Sequence, residues 1–196
     1  MKIRTLIGPV RPTEEAPGRG DAYLLEFAPF TKYSVSETDA RRLRRRFDAD
    51  IPVFGHFDGV PIKQLLYLFS EGIIDGAVIA AQPEKEVYRL CETVAKPIYI
   101  TVRSVTERDL ATAERLPVSG LYLPPTIEGA MLKRRKKPCI LPLDTEGDSL
   151  SEEEKQRLRA LAEADTDLIL KAENPAAAEE AKKLLQNSMT EMRFAK

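Results

Sequence analysis

The chain holds a single histidine, His56, and a carboxylate, Asp58, follows it by two residues. By residue type these are candidate proton carriers, because an imidazole titrates near neutral pH and a carboxylate can hold or accept a proton beside it. The other residues singled out as capable of polar chemistry are Arg4, Tyr33, Arg103, Asp144, Lys171 and Glu173. Arg4, Arg103 and Lys171 are candidate anion contacts, and Asp144 and Glu173 are further candidate acids or bases. A lysine in such a place can form a Schiff base once desolvated, although no other residue type in the sequence completes an aldolase-like site. A bland reading competes with these: charges of both signs can neutralise one another as a structural ion-pair network, since buried charges need partners with or without a ligand. His56 alternates with Phe57, so the sequence leaves open which way it faces.

Other chemistries lack their signatures. Cys91 and Cys139 are far apart and in no metal-ligand spacing, and their apolar neighbours predict buried, reduced thiols. No metal constellation, GxGxxG turn or P-loop is present, so neither metal nor cofactor is expected. Charged residues make up 31% of 196 residues, yet the formal net charge is -1, which gives no global pull towards nucleic acid or acidic membranes. Basic runs at residues 41–46 and 133–137 lack interleaved aromatics and predict solvated faces, not a nucleic-acid surface. No apolar run approaches the roughly 20 residues of a membrane span, and no signal-peptide pattern opens the chain. A single domain over residues 1–196 in the cytoplasm is expected, as monomer or homodimer.

The elements that must position these residues alternate between two periodicities. Short β-branched runs predict strands at residues 2–7, 22–27, 51–57, 76–81, 97–102, 120–123, 139–143 and 167–172. Between them apolar residues recur at helical spacing, as in Ile62, Leu65, Leu66 and Phe69, and again in Val87, Leu90, Cys91 and Val94. Capping-box pairs mark helix starts: Ser36 with Asp39, Thr106 with Asp109, and Ser151 with Glu154. Eight such units favour a closed parallel barrel, although the pattern alone leaves a doubly wound sheet open. Residues 8–20 hold three prolines and three glycines where a first helix belongs. A loop is expected there, since proline inside a helix costs about 3 kcal/mol. At the other end Met189, Met192 and Phe194 are spaced for an apolar contact with the barrel or with a partner.

One family settles the choice of fold. The stretch Phe27-Ala28-Pro29-Phe30-Thr31-Lys32-Tyr33-Ser34-Val35-Ser36 resembles the FAP-x-S-x-R-Y-V-S signature of phosphoribosylanthranilate isomerases. Residues 55–80 and 100–126 follow that family in order. The resemblance implies a compact (β/α)8 TIM barrel and, for the family, an Amadori isomerisation in tryptophan biosynthesis. The family's functional motifs do not carry over. Its catalytic cysteine lies in KICG, against Lys2-Ile3-Arg4-Thr5 here, and its catalytic aspartate in an LLDT-like motif, against Leu123-Pro124-Pro125-Thr126. A guanidinium does not act as a base at neutral pH, and proline carries no proton. The substrate-carboxylate arginine falls at Tyr33, and a VQLHG run falls at residues 78–82, ending on Gln82. The phosphate-binding turns fall at Leu141-Pro142-Leu143-Asp144 and Leu170-Lys171-Ala172-Glu173, and the glycine-rich loop after strand six is missing.

In such a barrel the C-terminal strand ends form the mouth where function sits. By motif matching these ends carry Arg4, Tyr33, His56, Asp58, Arg103, Asp144, Glu146, Lys171 and Glu173. Three functions follow in order of preference. The first is a divergent relative inactive in the isomerisation that binds a small anionic ligand. The second is an enzyme with a changed reaction on a sugar-like or anionic substrate. The third is an active isomerase whose acid and base have moved to Asp58, Asp144 or Glu173.

Overall fold

The computed structural model describes residues 1–13, 18–29, 31–59, 61–80, 84–133 and 135–194. Eight parallel strands close into a barrel: β1 (Ile3–Ile7), β2 (Ala22–Glu26), β3 (Val53–Phe57), β4 (Gly76–Ala80), β5 (Ile98–Thr101), β6 (Gly120–Tyr122), β7 (Cys139–Pro142) and β10 (Leu168–Ala172). Each predicted strand forms, trimmed at its ends. β8 (Thr145–Glu146) and β9 (Ser149–Leu150) make a small antiparallel hairpin above β7.

Helices α1 (Glu37–Arg44), α2 (Ile62–Ser70), α3 (Glu84–Thr93), α4 (Glu107–Arg115), α5 (Gly129–Leu132), α6 (Glu152–Leu161) and α7 (Pro175–Phe194) wrap the outside. The capping pairs act as the sequence predicts. Ser36, Thr106 and Ser151 each accept the backbone N–H three residues on, at 3.1 Å, which satisfies a donor that the first helical turn leaves unpaired. Among the described residues of the connection over 8–20 no helix forms, as expected of a loop. Gly8 in that loop has φ 148°, and a Cβ there would sit 2.5 Å from the Leu24 carbonyl oxygen, so only glycine fits.

Strand alternation splits the core in two. Leu6, Ala22, Leu24, Val78, Tyr99, Ile140 and Ile169 fill the barrel, with Phe54 and Tyr122 packed on them. Their outward neighbours, such as Ile7, Leu25, Ile79 and Leu170, meet the helices. Gly76 makes room for an inner ring: a Cβ on it would stand 2.3 Å from Phe54 Cε1. The bulky interior residues thus sit against glycine on the next strand.

The basic runs act as stitches between elements. Arg41 donates to Tyr67 and Glu71, and Arg44 to the carbonyl of Ile51. Arg135, its side chain 4% exposed, bridges Glu107 and Glu114 at 2.9 and 3.2 Å, and Lys137 Nζ donates to the carbonyls of Leu116 and Val118. In the C-terminal helix Met189 and Met192 pack on the chain's own core; the Phe194 side chain lies outside the described residues. Cys139 is buried and Cys91 half-buried, both free, and burial pushes the Cys139 thiol up to about 12. Among the described residues no helix is long and apolar enough to cross a membrane.

Candidate functional site

The upper barrel interior is read off strand parity. Residues sharing a face with Leu24, Phe54, Tyr99 and Ile169 point inward, so the last inward positions are Glu26 on β2, His56 on β3, Thr101 on β5, Tyr122 on β6 and Lys171 on β10. Four elementary groups result: a carboxylate, an imidazole, a phenol and an amine, with a hydroxyl beside them.

Glu26 and His56 are register partners on adjacent strands. His56 Nδ1 lies 2.8 Å from Glu26 Oε2, and Glu26 Oε1 accepts the Ala28 N–H at 2.9 Å. Both carboxylate oxygens are thus engaged, which fixes the 8%-exposed side chain. With Glu26 ionised the contact places a proton on Nδ1 and leaves Nε2 as the nitrogen that can act towards a ligand. The imidazole stacks on Tyr122, with centroids 5.6 Å apart and planes at 15°. Burial, with the Glu26 charge adding, pushes the Tyr122 phenol up to about 12, so it is a proton donor at any physiological pH.

Lys171 enters from β10, separated from β2 by β1. Burial lowers its pKa, while the charges of Glu173 and Glu26 pull the other way. Its amine makes no hydrogen bond or ion pair with the described residues, and the buried Thr101 hydroxyl has no hydrogen-bond partner among them. Leaving the buried Thr101 hydroxyl without a partner is costly, and it and the half-buried Lys171 amine are positions a ligand could engage.

A second tier closes around this cluster. The loop after β2 returns beside the strand, where Val35 N–H donates to the Glu26 carbonyl at 2.8 Å. It carries Tyr33, whose hydroxyl donates to Glu173 Oε2 at 2.9 Å across the mouth. Arg11 and Lys32 lie 5.1 and 4.7 Å from the Tyr33 ring centre. Asp58 and Arg103 pair at 3.2 Å, yet they are 62% and 69% exposed, and Asp144 is exposed on the rim. Gln82 and the side chain of Glu146 lie outside the described residues.

Of the residues singled out in the sequence, His56 and Lys171 reach the interior, and Tyr33 and Glu173 meet above it. Arg4 does not belong at the mouth. β1 runs on to Ile7, and Arg4 is level with Ile169, two residues below Lys171, where its charge acts on Tyr99. Matching Arg4 to the family's strand-one cysteine set the strand end three residues too early. Sequence reasoning also missed Glu26, Thr101 and Tyr122. The available signal was parity: Glu26 is two and four residues from Leu24 and Ala22 in an otherwise apolar strand.

Two helix starts face the mouth, and carboxylates attend both. Asn174 caps α7, accepting the Ala176 N–H at 2.7 Å, and its amide bonds Asp148. The first turn of α6 carries Glu152, Glu153 and Glu154. Neither start is electrostatically suited to a phosphate, which needs free N–H groups and no competing anion. Outside the barrel, a cavity of about 420 Å³ lies between α3 and α4, lined by apolar residues such as Val87, Ile100 and Leu116 together with Arg103, Glu84 and Asp109. It holds none of the inward residues Glu26, His56, Tyr122 and Lys171. Among the described residues no three His, Cys, Asp or Glu side chains could hold a metal ion.

No protein-family model matches the chain, and no curated protein matches it. Solved structures do. Phosphoribosylanthranilate isomerase from Thermotoga maritima superposes with TM-score 0.67 at 15% identity, over 96% of this chain and 99% of that one. The Thermus thermophilus isomerase gives 0.62 at 17%, over 98% and 100%. Orotidine 5'-monophosphate decarboxylase from Methanocaldococcus jannaschii gives 0.58 at 16%, over 95% and 98%. At such identities the likeness is one of fold: this chain forms a compact (β/α)8-type barrel, closed by eight parallel strands, similar to those of phosphoribosylanthranilate isomerases.

Proposed function

We propose that this barrel has left the isomerase reaction and binds a small, unphosphorylated, sugar-like or singly anionic molecule at its C-terminal mouth, as a cytoplasmic protein. The observation that carries the reading is Lys171, an inward amine with no hydrogen-bond partner among the described residues, within reach of the charge of the Glu26 carboxylate that holds His56. Lys171 and the Thr101 hydroxyl would hold one polarised oxygen of the ligand. His56 Nε2 would exchange a proton with it, Glu26 would hold the imidazole in place, and Tyr122 would donate to a second oxygen. The carboxylates at the starts of α6 and α7 argue against a phosphorylated ribose.

This reading favours a changed reaction over an idle barrel, because a plugged mouth would pair its lysine. An isomerase with relocated groups is the second reading. Glu26 and His56, rather than Asp58, Asp144 or Glu173, would then be its acid and base, since they are the pair held in hydrogen-bond contact inside the mouth.

Saturation-transfer NMR with glycolate, glycolaldehyde and dihydroxyacetone, with inorganic phosphate as control, tests the site. Binding by at least one of the three, weakened about tenfold or more in Lys171→Met and stronger than phosphate, is expected; losing a hydrogen bond to a charged group costs about 1.5–3 kcal/mol. Equal signals from wild type and Lys171→Met, or none from any probe, would overturn it.

A further inference from the structure

We infer that Lys171 is a carbonyl-trapping residue: its amine forms an imine with short hydroxyaldehydes or hydroxyketones, with the Glu26–His56 pair moving the protons. The inference rests on the mouth being the ligand site and adds a covalent step to it.

Three features of the barrel mouth converge on this. First, the amine is inside the barrel but uncommitted. Lys137 is the instructive contrast, since burial lowers its pKa too, yet its Nζ donates to two carbonyls, of Leu116 and Val118. Lys155 and Lys182 are held by Glu152 and Glu180, and by Asp21. Among these partly buried lysines, Lys171 alone combines an inward position with no hydrogen-bond partner among the described residues. Second, an amine attacks only as free base, and burial lowers the Lys171 pKa. Each unit of lowering raises the free-base fraction near neutrality about tenfold. Third, imine formation needs a base and then an acid, and His56 is an inward imidazole held through Nδ1 by Glu26, the same carboxylate whose charge acts on Lys171, so its other nitrogen is the group for both duties.

The step balances without an added reactant. His56 takes a proton from the Lys171 ammonium, and the freed Nζ adds to the carbonyl carbon. The former carbonyl oxygen becomes the carbinolamine hydroxyl after a proton shifts to it from nitrogen. His56 then returns its proton to that hydroxyl, which leaves as water while the nitrogen lone pair closes the C=N bond. An ammonium and a carbonyl give one protonated imine and one water. Glu173 and Glu26 nearby favour the cationic imine, and Tyr122 stays protonated throughout.

The test is residue-resolved trapping on the full chain. Wild-type protein is incubated at neutral pH with glycolaldehyde or dihydroxyacetone and cyanoborohydride, and modified lysines are quantified by peptide mass spectrometry. Lys171 is expected to be modified about tenfold or more faster than exposed Lys63 and Lys183. His56→Gln is expected to slow Lys171 selectively and leave the surface lysines unchanged. Lys171 reacting no faster than Lys63 overturns the imine. If it fails while glycolate still binds wild type and not Lys171→Met, the ligand site stands without the covalent step. If glycolate binding is also absent, both fall.

Discussion

The imidazole of His56 and the carboxylate of Glu26 face each other across the β2–β3 ladder, 2.8 Å apart, with Glu26 also tied to the Ala28 N–H. Removing the carboxylate strands two donors in the barrel. Glu26→Ala is expected to lower stability by about 2–4 kcal/mol. Glu26→Gln, which keeps one acceptor, is expected to cost about half of that. Denaturant unfolding curves for the two variants check the ordering.

Lys171 gives a pH signature. Its folded pKa is below the ordinary lysine value of 10.5, chiefly through burial, so the folded state binds fewer protons than the unfolded state between those two values. Stability contributed by this group therefore rises with pH across that window. Lys171→Met is expected to be more stable than wild type at neutral pH by about 1 kcal/mol, and the gap is expected to shrink as pH approaches 10.5. A gap that widens with pH would show that the amine is not desolvated.

Arg135 is the buried stitch between α4 and the segment before β7. Arg135→Met is expected to destabilise by about 3 kcal/mol, because it leaves the half-buried Glu114 carboxylate without its cation, held by the Lys136 N–H alone. Glu107, 53% exposed, is expected to matter little, with Glu107→Gln costing less than about 1 kcal/mol. Thermal unfolding of both separates them.

Gly76 and Phe54 test the inner packing. A methyl on Gly76 meets the Phe54 ring at 2.3 Å, so Gly76→Ala is expected to cost about 2 kcal/mol. Adding Phe54→Leu is expected to recover part of the loss, a coupling that a double-mutant cycle measures.

The barrel was legible in the sequence for a physical reason. Its strands are buried on both faces, so runs such as Ile98–Thr101 and Gly76–Ala80 stand out as continuous apolar segments. Ser36, Thr106 and Ser151 announce their helices through local hydrogen bonds that sequence spacing determines. The site was harder to see. Glu26 and His56 are 30 residues apart, and only inter-strand register brings them together. Tyr122 and Thr101 read as core because their strands are short and apolar. Arg4 was misplaced because a motif match outweighed the length of the apolar run, which continues through Leu6 and Ile7. Lys171 sat where matching put it, but its lack of a partner is a property of the packed interior.

Incubation of the purified protein with freshly made phosphoribosylanthranilate, following loss of anthranilate fluorescence against the spontaneous background, tests the central claim most directly. A mouth rebuilt around Lys171, Glu26 and His56 predicts a rate at background. A rate well above it, abolished in Glu26→Gln or His56→Gln, would contradict the claim and make this barrel an isomerase with relocated groups.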